Sequence, residues 1–202
     1  MKESVFNPEQ QLGNLDSKII VALERISEAF RVNLWNESKD TGLSPIQIQL
    51  LIFMAFHGQD KCKVTYLAKE FNMTKATISD AVKILDKKAL IDKSTDPEDS
   101  RSYTIQLTAQ GREVAKKSAL FANGFSKALS GNSPKQKTDF LVQLLQFIDQ
   151  LHRSGVIQIQ RMCFSCGHYR QKEGHYCELL NKPLLSFELR VDCPEHQEKS
   201  KR

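Results

Sequence analysis

The 202-residue sequence lacks an apolar run long enough to cross a membrane. A transmembrane helix needs roughly 20 consecutive apolar residues, and the best candidate, Ile46 to Phe56, is shorter and contains two glutamines. The first residues also lack the basic and then apolar order that is typical of a secretory signal. We therefore expect a cytoplasmic protein that does not enter a membrane.

The motifs of common enzyme classes are also missing. There is no His-Glu-x-x-His, no glycine-rich phosphate loop and no ordered set of Ser, His and Asp. Charge of one sign is not in large excess, since 29 Lys and Arg stand against 24 Asp and Glu, for a net charge of +5. This balance permits nucleic-acid binding without requiring it. We expect a globular protein that is not an enzyme.

Apolar periodicity predicts a mainly α fold with a small β-hairpin. Apolar residues between Leu15 and Trp35 recur at helical spacing. Ser44 and Pro45 begin a second helix, which is apolar on nearly all sides and should be buried. We predict further helices at 65–71, 75–89, 109–129 and 135–152, and two strands at 90–94 and 102–107.

Two short helices joined by a tight turn and followed by a hairpin indicate a winged helix-turn-helix. The helix that begins at Lys75 turns an apolar face inward, and its other face carries side chains suited to DNA bases and phosphates. The candidate DNA-binding residues there are Thr74, Lys75, Thr77, Ser79 and Lys83, with Lys87 and Lys88 further along. At the hairpin tip, Arg101 suits the electronegative minor groove, and Asp99 can fix its direction.

Three stretches resemble the MarR (multiple antibiotic resistance regulator) family. They are Leu43-Ser-Pro-Ile-Gln, the helix-turn-helix from Leu67 to Ser79, and the wing from Asp99 to Gly111. The resemblance covers roughly residues 15–152. It implies a homodimer built by the first and last helices, which binds a pseudo-palindromic site in double-stranded DNA. It also implies that Arg101 enters the minor groove with Asp99 as its partner. We also expect a small-molecule or redox effector.

Four of the five cysteines lie in the last fifth of the chain: Cys163, Cys166, Cys177 and Cys193. In a reducing compartment such a cluster favours a metal site over disulfides. Two thiolates separated by two residues can grip one ion, and Gly167 leaves room for backbone amides to point at sulfur. A segment this small cannot be stabilised by burial alone, so we expect a zinc ion to hold it together.

The domain boundaries follow from these assignments. We place the winged helix and dimerisation domain at residues 1–153, a four-cysteine metal module at 154–198 and a flexible tail at 199–202. Alternating apolar residues from Leu184 to Val191 predict a strand within the module. The chain should begin to fray from His196.

Other interpretations of the cysteines stay open. Four thiolates also suit an iron–sulfur cluster, and Cys193-Pro194 resembles the end of some cluster motifs. Cys163 and Cys166 could instead form a reversible disulfide, or a nearby histidine (His168, His175 or His196) could replace one cysteine as ligand. Cys62 is either an oxidation sensor or incidental, and its neighbours Lys61 and Lys63 should lower its pKa.

Two hypotheses of function result. The first is a dimeric, sequence-specific DNA-binding regulator whose cysteine site is structural or sensing. The alternative is a metal-binding redox or protein-interaction protein that uses a winged helix as a scaffold and does not recognise a DNA sequence.

Overall fold

A computed structural model describes residues 4–95, 103–158, 160–171 and 173–199 of the chain. Its elements are eight α-helices and five short strands within those ranges. In chain order they are α1 (Pro8–Gly13), α2 (Leu15–Thr41), α3 (Pro45–Phe56), α4 (Val64–Glu70), α5 (Lys75–Lys87), β1 (Ile91–Thr95), β2 (Tyr103–Leu107), α6 (Ala109–Ser118), α7 (Asn123–Ala128), α8 (Pro134–Arg153), β3 (Tyr169–Gln171), β4 (His175–Cys177) and β5 (Lys182–Leu184).

The main core lies beneath α3, α4, α5 and the β1–β2 hairpin. Helix α3 begins at Pro45 after Ser44, and the Gln47 side chain caps it by accepting a hydrogen bond from the Ser44 amide (2.9 Å). As its composition predicts, α3 is buried on most sides, and Ile48, Leu50 and Leu51 are fully inaccessible to solvent. The order of elements confirms a winged helix-turn-helix, with β1 and β2 paired in antiparallel register.

The long helices α2 and α8 carry much of the exposed apolar surface of the described residues. Helix α2 runs for 27 residues and ends at Gly42, whose left-handed backbone (φ +64°) caps it. The large apolar side chains of these two helices that remain exposed are Leu15, Ile19, Ile20, Ile26, Phe30, Val32, Trp35, Phe140 and Phe147.

The single helix predicted at 109–129 is wrong, because the chain forms α6 and α7 with a 3₁₀ turn between them at Ala119–Ala122. The break lets aromatic side chains turn towards α2. The Phe125 ring stacks on Phe30 with centroids 3.8 Å apart, and the Phe121 ring meets Phe30 edge-on at 6.5 Å.

After α8 the chain folds into a small unit, which we call the cysteine module (residues 160–171 and 173–199). Strands β3, β4 and β5 form an antiparallel sheet, which the sequence did not predict. A second core joins the module to α8; its buried residues are Leu145 from α8 and Met162, Phe164, Cys166, Tyr169 and Leu189 from the module. The module therefore rests on the last long helix.

Two predictions about this segment are wrong. The alternation from Leu184 to Val191 is not a strand, because the chain makes a 3₁₀ turn at Ser186–Glu188 and leaves Phe187 64% exposed. Residues 196–199 are bonded to the module instead of fraying. The amide of Gly167 donates to the carbonyl of Gln197 (2.7 Å), and Lys199 Nζ donates to the carbonyl of Phe164 (2.7 Å). None of the helices described here is long and apolar enough to span a membrane.

Candidate nucleic-acid interface and cysteine module

Helix α5 is buried on one face and open on the other. Its inward residues are those that the sequence predicts: Ile78, Ala81, Val82 and Leu85. The side chain of Thr74 accepts a hydrogen bond from the amide of Thr77 (3.1 Å), which satisfies a free amide of the first turn and begins the helix at Lys75. Thr74, Lys75 and Thr77 are exposed and Ser79 is half-buried, so the candidate DNA-binding residues share an accessible helix start.

The lysines further along α5 differ in what they contact. Lys83 Nζ lies 3.0 Å from Asp80 Oδ1 in an exposed ion pair, which is worth only about 0–1 kcal/mol and leaves the lysine available to a phosphate. Lys88 donates to the carbonyl of Gly42 (3.3 Å) and so holds the end of the helix-turn-helix against the end of α2. Lys88 is thus less suited to a phosphate contact than the sequence indicates.

The hairpin that forms the wing is well defined at its base. Ile91 pairs with Leu107 and the register continues to Thr95 and Tyr103. Asp99 and Arg101, the candidate minor-groove residues, lie outside the described residues, so their roles stay predictions.

Residues 41–102, which span α3 to the wing, match the sequence profile of the MarR family. This segment is similar to the winged helix of the MarR family. Over 130 residues the chain is 25% identical to YdgJ of Bacillus subtilis, an uncharacterized HTH-type transcriptional regulator, and the match covers 64% of this chain and 76% of YdgJ.

Two solved structures share the fold. The chain is similar to S. aureus MepR in a complex with DNA, with a TM-score of 0.57 and 21% identity over 65% of this chain and 96% of MepR. It is also similar to a MarR-family regulator from Silicibacter pomeroyi, with a TM-score of 0.58 and 22% identity over 72% of this chain and 96% of that one. Both matches leave part of this chain without a counterpart.

Two segments of the cysteine module, one around Cys163 and one around Arg190, lie next to each other. Cys163 and Cys166 flank a 3₁₀ turn, closed by a hydrogen bond from the Cys166 amide to the Cys163 carbonyl (3.0 Å). The amide of Arg190 donates to Cys163 Sγ at 3.2 Å. The expected amide-to-sulfur bond is therefore present, but it comes from the opposite segment of the module and not from Gly167.

None of the four cysteines of the module is in a disulfide. Burial raises the pKa of the Cys163 thiol above its ordinary value, against the hydrogen bond from the Arg190 amide. Cys193, Cys166 and Cys177 also raise this pKa, which means that each of these three thiols lies within electrostatic range of Cys163. Across the described ranges, no three His, Cys, Asp or Glu side chains are arranged as a ready metal site, so zinc stays a prediction.

The three histidines of the module differ in their hydrogen bonding. His175 Nδ1 lies 2.7 Å from the Tyr169 hydroxyl, and His196 Nε2 lies 3.0 Å from Ser165 Oγ. Burial lowers the pKa of His196, which favours its neutral form. Nε2 of His168 is buried and lacks a hydrogen-bond partner in the described part of the chain, so His168 is the histidine whose ring nitrogen is most available as a replacement ligand.

The sequence gives no sign of one further group, centred on Arg161. Its guanidinium sits between the module and the winged helix, with 11% of the side chain exposed. Burial alone would lower the pKa of Arg161, but hydrogen bonds to Asp192 and Glu70 hold it above the ordinary value. Burial would likewise raise the pKa of Asp192, but hydrogen bonds from Arg161 and His57 bring it below the ordinary value. Both groups are therefore charged at neutral pH.

Cys62 belongs to the main core and not to the module. It is fully buried. Burial, assisted by the nearby Asp60 carboxylate, raises the pKa of its thiol to about 11. The prediction that flanking lysines lower this pKa is wrong, because desolvation of the thiolate outweighs their charge. A thiol this buried and this weakly acidic favours a structural role over that of an oxidation sensor.

Proposed function

We propose that the chain is a sequence-specific DNA-binding transcriptional regulator of MarR type, with α5 in the major groove and the wing against the minor groove. The observation that carries the proposal is the open polar start of α5, whose opposite face is locked into the winged-helix core. Similarity to MepR, which has been solved with DNA, supports the same orientation. The chain's relatives are regulators and not enzymes, in keeping with a protein that is not an enzyme.

Each candidate residue has a distinct part in this proposal. Lys75 and Lys83 supply positive charge to phosphates, while Thr77 and Ser79 offer hydroxyls to base edges or phosphates. Thr74 keeps the helix start in place through its bond to the Thr77 amide. In the wing, Arg101 enters the minor groove and Asp99 orients it, as the family resemblance implies.

The active form in this proposal is a homodimer built from α2 and α8. Their exposed aromatic and aliphatic side chains form apolar surface of the kind that marks a protein–protein interface. Dimerisation would set two copies of α5 one helical turn of DNA apart, about 34 Å. An effector that changes this separation would then change DNA affinity. Sedimentation should give a mass twice that of the 23.0 kDa chain.

We also propose that Cys163, Cys166, Cys177 and Cys193 bind one zinc ion that braces the module. The electrostatic effect of the other three thiols on Cys163 and the hydrogen bond from the Arg190 amide to Cys163 Sγ support this assignment. Zinc bound by four thiolates is closed to substrate and serves as a structural staple. Protein purified without air should be colourless with one zinc per chain, and Cys177→Ser should lose it. A brown protein with visible absorption would instead establish an iron–sulfur cluster.

A gel-shift assay with DNA fragments from upstream of the protein's own gene tests DNA binding. We expect Lys75→Ala and Arg101→Ala each to weaken binding and to reduce the slope of log K against log salt by about 0.9 for each phosphate that the variant no longer neutralises. Lys135→Ala, at the exposed start of α8, is the matched control and should leave both the affinity and the salt slope unchanged. If DNA binding is weak, does not depend on the DNA sequence and is unchanged by both substitutions, the protein-interaction alternative is favoured.

A further inference from the structure

Arg161 ties the cysteine module to the first helix of the helix-turn-helix. Its Nη1 donates to the Tyr66 hydroxyl (2.6 Å) and to a carboxylate oxygen of Glu70, while Nη2 donates to the other Glu70 oxygen (3.3 Å). Both acceptors belong to α4. The guanidinium also lies over the rings of Phe53 (5.4 Å) and Tyr66 (5.7 Å), so cation–π attraction adds to the hydrogen bonds.

Asp192 holds the other side of the same guanidinium. Arg161 Nε and Nη2 donate to its two carboxylate oxygens at 2.9 and 3.0 Å, a bidentate geometry that fixes direction as well as distance. His57 Nε2 lies 2.7 Å from Asp192 Oδ2, and its ring stacks on Phe53 with centroids 3.8 Å apart. Asp192 therefore connects the module to the end of α3 as well.

The residues that make this link are next to the cysteines in the chain. Arg161 precedes Cys163 by two positions, and Asp192 immediately precedes Cys193. The amide of Cys193 donates to the carbonyl of Arg161 (2.7 Å), and the amide of Cys163 donates to the carbonyl of Arg190 (3.1 Å). The two chain segments that carry the thiols thus also set the positions of Arg161 and Asp192.

The link reaches the DNA-reading helix through α4. Leu67 and Ala68 of α4 are buried against the same core as the inward face of α5. Because protein interiors are close-packed, a shift of α4 is passed to α5 and is not absorbed by empty space. An ordered module therefore holds α4, and through it the start of α5, in one place.

We infer that Arg161 and Asp192 couple metal occupancy of the four-cysteine site to DNA binding, so that the metal-loaded protein binds its operator more tightly than the stripped protein. The inference rests on the proposed function and names the regulation of that site. Loss of the metal loosens the segments around Cys163 and Cys193, which releases the guanidinium and the hold on α4. By linkage, DNA binding tightens metal binding by the same factor.

The test compares zinc-loaded and chelator-stripped full-length protein with two readouts. One is the affinity for a labelled upstream duplex by fluorescence anisotropy. The other is hydrogen exchange at the amides of α4, measured without DNA. In the unaltered protein we expect stripping to weaken DNA binding roughly 10-fold and to speed exchange in α4.

The Arg161→Gln variant should still bind zinc. Its DNA affinity and its rate of hydrogen exchange in α4 should be the same in the zinc-loaded and the stripped protein. Lys182→Gln removes a positive charge from the exposed pair with Glu188 in the same module and should keep the metal effect. Asp192→Asn provides a second variant with the same expected loss of coupling if Arg161→Gln does not fold.

The outcomes separate the two proposals. If the DNA affinity and the rate of hydrogen exchange in α4 are the same with and without zinc in the unaltered protein, the coupling is overturned and the proposed function still stands. A chain that takes up no metal would also overturn the coupling. Failure of both the zinc-loaded and the stripped protein to bind DNA would overturn the proposed function. In that case, hydrogen exchange in α4 that depends on zinc in the unaltered protein but not in Arg161→Gln would still support the link between the module and α4.

Discussion

Replacing Arg161 by glutamine should destabilise the protein far more than the loss of an ordinary surface ion pair. Removing one partner from a buried pair costs about 3–5 kcal/mol, because a charge is left without compensation. Here the carboxylates left behind are partly solvated, since the side chains of Glu70 and Asp192 are 26% and 45% exposed. Discounting for that solvation, we expect a loss of about 1.5–3 kcal/mol in the free energy of unfolding.

Urea unfolding followed by far-ultraviolet circular dichroism measures this loss. The control is Lys135→Gln, whose pair with Asp139 is largely exposed on both sides and should contribute less than about 0.5 kcal/mol. A double-mutant cycle of Arg161→Gln with Glu70→Gln should give a coupling of about 1–2 kcal/mol, because the two groups are in direct contact. A loss no larger than that of the control, or no coupling, would refute the account of Arg161 as the link between module and winged helix.

Two other predictions concern the core. The raised pKa of Cys62, about 11, leaves about 100-fold less thiolate at pH 8 than an ordinary thiol would have. Peptide mass spectrometry should therefore find that Cys62 is alkylated at least about 100-fold more slowly in the native chain than in the unfolded chain. Comparable rates in the two states would contradict its burial. Gly111→Ala would place a methyl carbon 1.8 Å from the Leu90 carbonyl oxygen, and it should lower the free energy of unfolding by at least about 2 kcal/mol, measured by heat or urea. Gly124→Ala is the control, because open space surrounds Gly124, and it should not lower the free energy of unfolding. Equal stability of the two glycine variants would be inconsistent with that close approach.

The parts of the fold that follow local rules could be predicted from the sequence. Ser44 and Pro45 mark the start of α3, and Thr74 marks the start of α5, because capping depends on residues within one helical turn. The inward face of α5 follows from 3.6-residue periodicity. The polar helix start, which carries the proposed function, belongs to this predictable set.

What could not be predicted depends on contacts between distant residues. The aromatic contacts of Phe121 and Phe125 with Phe30 accompany the break between α6 and α7, and no local pattern predicts a partner so far away in the chain. The same holds for Arg161, whose partners Tyr66 and Glu70 are separated from it by 95 and 91 residues. A single arginine in a basic chain offers no sign of such a site.

The pKa of Cys62 illustrates a related failure. Reasoning from its lysine neighbours treats the thiol as exposed, where nearby positive charge would dominate. The fold instead buries it in the main core, where desolvation dominates. Sequence neighbours predict electrostatics only when burial is known.

The measurement that tests the central claim most directly is the ratio of dissociation constants for the upstream duplex and for a scrambled duplex of the same length and composition. At physiological salt a sequence-specific regulator should prefer its own site by at least about 10³-fold. Lys75→Ala should weaken binding to both duplexes and lower the salt slope. A ratio near one, with the unaltered protein fully folded and dimeric, would contradict the assignment of this chain as a sequence-specific DNA-binding regulator.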